Sequence, residues 1–323
     1  MELFKRTRIL SFMRYSNYGV IVSAILVLLA LGLLFFKGFS LGIDFAGGSL
    51  VQVRYTQNAP IKEVRDLFEK EARFKGVQVS EFGSKEEILI KFPFVETAEN
   101  EDLNAIVANI LKPSGDFEIR KFDTVGPRVG SELKEKGILS LILALMAIMV
   151  YVSFRYEWRF ALASVIALMH DVILVASSVI VFKIDMNLEV IAALLTLIGY
   201  SINDTIIIFD RIREEMLSQK TKNAIQAIDE AISSTLTRTL LTSLTVFFVV
   251  LILCVFGSKI IIGFSLPMLI GTIVGTYSSI FIAPKVALLL GFDMGKYYEN
   301  EARKIKKAQE KEKMRRLYEG GQV

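Results

Sequence analysis

The sequence predicts an α-helical polytopic membrane protein with one small α+β domain outside the membrane. Three observations lead to this prediction. The 323 residues are 53% hydrophobic and the mean hydropathy is +0.48, a composition that excludes a soluble enzyme. Apolar stretches long enough to cross a bilayer recur along the chain. One long segment of mixed composition, residues 37–136, separates the first of these stretches from the rest.

Several stretches reach the length of roughly 20 apolar residues that a membrane-spanning helix needs. We expect six transmembrane helices, at residues 18–36, 137–154, 160–182, 188–209, 239–256 and 263–290. The first stretch has the position of a signal peptide, but no small-residue cleavage pattern follows it. We therefore interpret it as a retained anchor.

The basic residues lie mostly on one side of these predicted helices. They precede the first span, connect spans two and three, follow span four and form the tail after span six. The short loops on the opposite side carry only Lys183 and Lys259. Because Lys and Arg are enriched in cytoplasmic loops, we expect both termini in the cytoplasm and residues 37–136 outside it.

This topology divides the chain into four regions. They are the N-terminus with the first helix (1–36), an extracytoplasmic domain (37–136), helices two to six (137–290) and a basic cytoplasmic tail (291–323). The cytoplasmic loop 210–238 is amphipathic. Its Ile225, Ile228 and Ile232 share one helical face, which predicts an interfacial helix on the inner leaflet. The basic termini are expected to attract anionic lipid.

The extracytoplasmic domain has the pattern of a small ferredoxin-like fold. Segments that alternate apolar and polar side chains, as half-buried strands do, come before and after segments with apolar residues at helical spacing. We expect strands at 48–55, 76–81, 87–92 and 117–125 and helices at 59–74 and 99–111. The resulting order β-α-β-β-α-β is typical of ferredoxin-like domains.

The residue content argues against an enzyme. Cys254 is the one cysteine and His170 the one histidine, which leaves no internal disulfide and no Cys/His zinc site. The outer domain also lacks a nucleophile paired with a base. We expect no covalent chemistry, no metal and no cofactor.

Asp204 is the most informative residue, because it lies deep inside the fourth apolar stretch. A carboxylate in hydrocarbon costs roughly 2.5–3.5 kcal/mol even on a lenient scale. On a helix, Thr196, Gly199/Tyr200 and Asn203/Asp204 share one polar face through i+3 and i+4 spacing. We interpret this face as a proton or ion relay. The alternative is a buried polar contact that only holds helices together.

Two further charged residues are candidates for this relay. Arg238, near the cytoplasmic end of the fifth stretch, either faces Asp204 and stabilises its charge or extends to the lipid headgroups. Asp171 in the third stretch is either part of the relay or a contact between helices. The adjacent His170 is interpreted as a packing residue.

Three other patterns carry weaker expectations. Asp210 is expected to pair with Arg211 or Arg213 in the cytoplasmic loop. Gly271 and Gly275 in the sixth stretch permit close helix approach. Glycine-bearing segments flank the outer domain, and they are either hinges or tight turns. These segments contain Gly42, Asp44, Phe45, Gly47 and Gly48 before the domain and Gly126 and Pro127 after it.

Together these motifs resemble the SecF family of bacterial protein-export subunits. The strings that carry the resemblance are GIDFAGG from Gly42, VGP from Val125, HD at His170, GYSINDTIIIFDRIRE from Gly199 and TLTRTLLTSLT from Thr235. The string in span four is highly specific, whereas GIDFAGG alone is less so, because the sister subunit SecD carries a similar motif. SecD is excluded by size, since its outer region is much larger.

The resemblance implies one six-helix half of an RND-type transporter, with SecD supplying the other half. Such a pair is expected to sit in the bacterial cytoplasmic (inner) membrane. There it would use the proton-motive force to help draw unfolded polypeptide out through SecYEG. The resemblance implies that the family's proton-linked pair of residues corresponds to Asp204 and Arg238 in this sequence. SecA and the membrane insertase YidC are further candidate partners, and no nucleic acid is expected.

Two rival functions stay open at this point. An RND-type exporter of lipids or small molecules would share the fold and the buried acid, but such pumps carry far larger outer domains. A passive scaffold for translocon assembly would need no energy coupling. Asp204 and Arg238 argue against the scaffold only if charge is needed there.

Overall fold

The computed structural model describes residues 9–96, 102–218, 223–257 and 261–291, together with residues 303, 306–307, 309–312 and 314–315 of the tail. Its helices are α1 (Phe12–Phe36), α2 (Ile43–Ala46), α3 (Ile61–Lys70), α4 (Leu103–Leu111), α5 (Pro127–Arg155), α6 (Trp158–Val181), α7 (Leu188–Ser218), α8 (Ala224–Phe256), α9 (Ile262–Tyr277) and α10 (Ala283–Leu289). Its strands are β1 (Gly48–Tyr55), β2 (Gln78–Phe82), β3 (Ser84–Phe92) and β4 (Phe117–Val125).

Six helices in the described part of the chain are long and apolar enough to cross a membrane, which confirms the prediction of six spans. They are α1, α5, α6, α7, α8 and the continuous unit of α9 and α10. In that last unit, one π-helical turn, Ser278–Ile282, joins the two α-helices. The helical hydrogen bonds satisfy the backbone within the bilayer, where no water is present to do so.

The helices α6, α7 and α9–α10 form the centre of the bundle. More than half of the most apolar window of each is buried, whereas α1, α5 and α8 bury only 11–17% of theirs. Apolar side chains from these central helices pack around Val175, Val190, Leu194, Leu197 and Met268. Long faces of α1, α5 and α8 are therefore exposed on the surface of the isolated chain.

The outer domain has the ferredoxin-like fold that the sequence predicts. Its four strands form one sheet in the order β2-β3-β1-β4, and all three neighbouring pairs are antiparallel. The core contains Val51 and Val53 of β1, Val64 and Phe68 of α3, Ile88 and Ile90 of β3, and Val107 and Leu111 of α4. The β2–β3 turn uses Gly83 at φ +74°. The first residues of the predicted helix at 99–111 lie outside the described residues.

The expected interfacial helix in the cytoplasmic loop is wrong as a separate element. The segment from Ala224 onward is the first part of α8 and runs into span five without a break. Its Ile228 and Ile232 are almost fully buried, whereas Ile225 is exposed. Their apolar face packs against protein, including Met13 of α1 and Met216 of α7, so it does not lie on lipid.

Candidate intramembrane site

Asp204 lies on the face of α7 that contacts α8, and only 1% of it is exposed. Its Oδ2 accepts a hydrogen bond from Ser243 Oγ of α8 at 3.3 Å. The Thr276 hydroxyl of α9 in turn donates to Ser243 Oγ at 2.7 Å. Among the described residues, Asp204 Oδ1 has no hydrogen-bond partner. The carboxyl group is therefore buried where three helices meet, with one oxygen unpaired.

Arg238 does not contact Asp204 directly in this conformation. Among the described residues, the hydrogen-bond partner of Asp204 is Ser243, and Arg238 is exposed on α8. The expected ion pair is thus not formed here, and the relay role of both residues stays a prediction.

The polar face that the sequence predicts on α7 divides into two parts. Asp204 turns inward, whereas Thr196 and Asn203 are exposed on the surface of the chain. Tyr200 is half-buried between them, and its hydroxyl group lies near Ser243 without a well-directed hydrogen bond. Exposed polar groups at membrane depth are expensive in lipid, so this surface is suited to contact another protein.

Asp171 is the centre of a second polar cluster. It is fully buried, and its Oδ1 lies 2.9 Å from His170 Nδ1. Its Oδ2 accepts hydrogen bonds from Ser201 Oγ of α7 at 2.6 Å and from Ser278 Oγ of the π-helical turn at 2.8 Å. Asp171 thus connects three membrane segments, as the helix-contact alternative expects. The relay role of Asp171 stays a prediction.

Sequence reasoning missed the hydroxyl groups that hold both acids. Ser201 and Ser278 bond to Asp171, and Thr276 supports Ser243 beside Asp204. A signal was present, because Ser201 lies one turn before Asp204 and small polar residues interrupt the sixth apolar stretch. By contrast, the Ser164 and Ser178 hydroxyls on α6 bond to carbonyl groups of their own helix.

Asp210 of α7 has a different partner from the one expected. It lies 3.5 Å from Arg155 Nη2, at the end of α5. Arg211 instead pairs with Glu214 and Glu215 on its own helix. The contact joins the end of α5 to α7, a connection that local sequence spacing does not reveal.

The first glycine-bearing segment packs α2 against the outer ends of the membrane helices. Gly42 N donates to Met186 O at 2.9 Å, in the loop between α6 and α7. Asp44 Oδ2 accepts a hydrogen bond from the backbone N–H of Leu188 at 3.1 Å. Leu188 is the first residue of α7, and a negatively charged carboxylate is stabilising at the N-terminus of a helix. Phe45 is buried in the apolar cluster around Val190. The segment is therefore held at several points.

The glycines that follow α2 occupy positions without space for a side chain. A Cβ on Gly48 would lie 2.6 Å from Phe92 O, and one on Gly47 would lie 3.0 Å from Pro127 Cα. Gly47 and Gly48 also have φ values of +76° and +147°. Gly126 caps the N-terminus of α5, with Pro127 as its first residue. This geometry favours tight turns over hinges at the junction.

A polar contact reinforces the same junction. Lys91 Nζ of β3 lies 2.8 Å from Asp185 Oδ2 in the α6–α7 loop, and Ser40 Oγ donates to Asp185 Oδ1 at 2.8 Å. These groups line a pocket of about 240 Å³ between the outer domain and the membrane helices. The loop thus links the outer domain to α6 and α7, the two helices that carry Asp171 and Asp204.

Six apolar helices, a ferredoxin-like outer domain and a buried intramembrane acid define a transporter-type membrane subunit. A family profile described as "Protein export membrane protein SecD/SecF, C-terminal" matches residues 106–293. A second profile, "SecD/SecF GG Motif", matches residues 32–59. The chain belongs to the SecF family.

Individual relatives agree with this assignment. The protein translocase subunit SecF of Helicobacter pylori strain J99 is 98% identical over 100% of both chains. SecF of Desulfurispirillum indicum is 42% identical over 93% of this chain and 96% of that protein. SecF of Vibrio alginolyticus is 37% identical over 90% of this chain and 92% of that protein.

Solved structures show the same architecture inside a longer chain. The crystal structure of SecDF from Thermus thermophilus, a translocon-associated membrane protein, matches with a TM-score of 0.79 and 31% identity over 90% of this chain. SecDF in a form called super-membrane-facing matches with a TM-score of 0.66 and 30% identity over 95% of this chain. The chain spans 40% and 41% of those SecDF chains.

Proposed function

We propose that this chain is an accessory subunit of the Sec protein translocase that works with SecD and uses the proton-motive force to assist export of polypeptides through SecYEG. The observation that carries the energy-coupling part is Asp204. A buried carboxylate with a single weak hydrogen bond and one unpaired oxygen is costly when charged. It therefore gains much from accepting a proton, which is the property that a proton carrier needs.

The surface of the chain supports a partner in the membrane. Thr196 and Asn203 of α7 are exposed together with Arg238 and Thr245 of α8. A second membrane subunit would cover these groups and supply hydrogen bonds that lipid cannot. SecD fits this role, because the related SecDF chains contain a region like this one within a chain more than twice as long.

The proposed cycle uses the two charged residues in sequence. A proton that enters from outside neutralises Asp204 and weakens its attraction to Arg238. The neutral carboxyl group and α8 then rearrange, and the proton leaves on the cytoplasmic side. Because the α6–α7 loop contacts the outer domain through Asp185 and Lys91, movement of α7 would reach the domain that we place beside the exported polypeptide.

The remaining partners and the orientation belong to the same proposal. SecA and YidC would contact the assembled translocase, and the basic termini would lie on anionic lipid of the inner membrane. The distribution of Lys and Arg supports cytoplasmic termini and an external domain.

The test is proton flux through the purified complex of this chain with its SecD partner in liposomes. An imposed pH gradient and an entrapped pH-sensitive dye report the flux. The proposal expects Asp204→Asn to abolish gradient-driven flux above the lipid background, and the exposed Asp66→Asn of α3 to leave it unchanged. Replacing the proton gradient by a sodium gradient identifies the coupling ion. Equal flux in the parent and Asp204→Asn would overturn energy coupling and favour the scaffold alternative.

A further inference from the structure

A second buried acid, Asp171, lies on α6 beside the one histidine of the chain. His170 is 7% exposed and Asp171 is fully buried. Neighbouring residues on a helix ordinarily point in different directions, but here His170 Nδ1 and Asp171 Oδ1 are 2.9 Å apart. The two groups therefore form a hydrogen-bonded dyad inside the bundle.

The acid side of this dyad is held firmly as a hydrogen-bond acceptor. Ser201 Oγ and Ser278 Oγ both bond to Asp171 Oδ2. Space for this arrangement comes from Gly275, where a Cβ would lie 3.2 Å from Ser201 Cβ and 3.7 Å from Asp171 Oδ2. Ser278 begins a π-helical turn, an irregularity that occurs often at functional sites.

The imidazole side is free to accept a proton. His170 Nε2 is buried and has no hydrogen-bond partner among the described residues. When Nδ1–H donates to Asp171, Nε2 carries the lone pair of the neutral ring. A proton bound there would change the dyad from a net charge of −1 to zero, with a positive imidazolium directly beside the carboxylate.

Among the described residues, no Lys or Arg lies within ion-pair distance of Asp171, and His170 is the basic group beside it. No charged residue occurs in α1 between Arg14 and Lys37 or in α5 between Lys136 and Arg155, and α9 contains none at all.

Tyr277 of α9 faces His170 with its ring centroid 6.5 Å away, and its hydroxyl donates to Gly19 O. The nearest charged residues along α7 and α10 are Asp204, three residues after Ser201, and Lys285, seven residues after Ser278.

We propose that His170 and Asp171 form a second proton-binding site, separate from Asp204, with His170 Nε2 as the atom where the proton is bound and released. An unpaired buried charge is costly, so the dyad holds this proton while it is closed off from water. Loss of the proton would leave a charge of −1 that pulls on Ser201 of α7 and on the π-helical turn. The inference rests on the proposed function in that the second proton would belong to the same transport cycle.

The test observes the imidazole directly and does not depend on transport. The chain is labelled with ¹⁵N-histidine, assembled with its unlabelled SecD partner, reconstituted in lipid without a polyhistidine tag and measured by solid-state NMR. Its single histidine gives one pair of ring signals. At pH 7.5, where a solvated histidine is about 90% neutral, we expect both ring nitrogens to be protonated. A neutral ring in the parent would overturn the proposal without any variant.

Two variants separate the dyad from its neighbours. Asp171→Asn keeps the size of the side chain and its bonds to Ser201 and Ser278 but removes the counter-charge, so the ring should become neutral at pH 7.5. Asp204→Asn should leave the imidazolium signals unchanged. If both ring nitrogens of His170 stay protonated in Asp171→Asn, His170 does not share its proton with Asp171. A ring that turns neutral in Asp204→Asn would show that the two sites are one.

Discussion

At the scale of single residues, the environment of each buried acid decides what it can do. Asp204 and Asp171 are both aspartates in apolar helices, yet Asp171 has three hydrogen-bond partners and Asp204 has one. The better-satisfied group connects helices tightly, whereas the less satisfied group has more to gain from a proton. This difference is why the proposed function places energy coupling on Asp204.

Gly48, at the junction between α2 and the outer domain, has no space for a larger side chain. Gly48→Ala places a Cβ 2.6 Å from Phe92 O at a φ of +147°, a conformation that suits glycine alone. We expect loss of at least about 3 kcal/mol, combining backbone strain with overpacking. The measurement is the thermal unfolding midpoint of the purified complex in detergent.

Gly38 is the matched control for this prediction. It also has positive φ, +66°, but no atom lies within 4 Å of its Cβ position. Gly38→Ala should therefore cost only the backbone strain, about 1 kcal/mol. Equal unfolding midpoints for the two variants would contradict the close contact at Gly48.

At the scale of elements, the packing of α9 on α7 depends on small residues. A Cβ on Gly271 would lie 2.7 Å from Leu197 Cδ1, and Leu197 is only 1% exposed, so it has little space to move. Gly275 brings the same helix close to Ser201. The spacing of the two glycines thus permits the close approach that the sequence predicts.

Gly271→Ala should lower the stability of the bundle by about 1–3 kcal/mol, because it overpacks a buried contact. Gly32→Ala in α1 is the control, since no atom lies within 4 Å of its Cβ position. That variant should be neutral, or slightly stabilising through helix propensity. Thermal unfolding of the complex in detergent compares them, and an unchanged midpoint for Gly271→Ala would show that α9 and α7 are not tightly packed.

Much of this architecture could be predicted from sequence, because it depends on local periodicity. β1 and β4 begin and end at the predicted residues, since Val51 and Val53 alternate with polar side chains over a half-buried sheet. The start of α8 was misinterpreted for a physical reason. A helical face with Ile228 and Ile232 is equally apolar whether it meets lipid or protein, and periodicity does not distinguish the two.

The hydrogen bonds of the buried acids are a second part that the sequence does not reveal. Ser201 is 30 residues from Asp171 and Ser278 is 107 residues away. Contacts over such separations depend on how whole helices pack, so spacing along one helix identifies the acid but not its donors. The same limit applies to Arg238, whose exposure follows from the rotation of α8.

At the scale of the whole molecule, the placement of charged residues predicts the orientation of the chain in the membrane. We expect a reporter fused at Ala98 to be external and reporters at Gln219 and Gln309 to be cytoplasmic. Enzymatic reporters that are active on only one side of the membrane measure this. An active cytoplasmic reporter at Ala98 would contradict the external position of the ferredoxin-like domain.

We propose that the protein couples the proton gradient to export through Asp204. Asp204→Asn keeps size and can still accept the bond from Ser243 but cannot titrate, and a neutral amide is cheaper to bury than a charge. The fold should therefore persist. The exposed Asp66→Asn serves as the control for loss of a carboxylate.

The most direct measurement is the export rate of a secretory polypeptide into inverted membrane vesicles, recorded against the size of the imposed proton gradient at matched membrane levels of each variant. We predict that export by the parent and by Asp66→Asn accelerates as the gradient increases, whereas export by Asp204→Asn shows no acceleration. ATP-driven translocation without a gradient should be equal in all three. If Asp204→Asn responds to the gradient as the parent does, Asp204 is not the coupling residue and the proposed energy coupling is wrong.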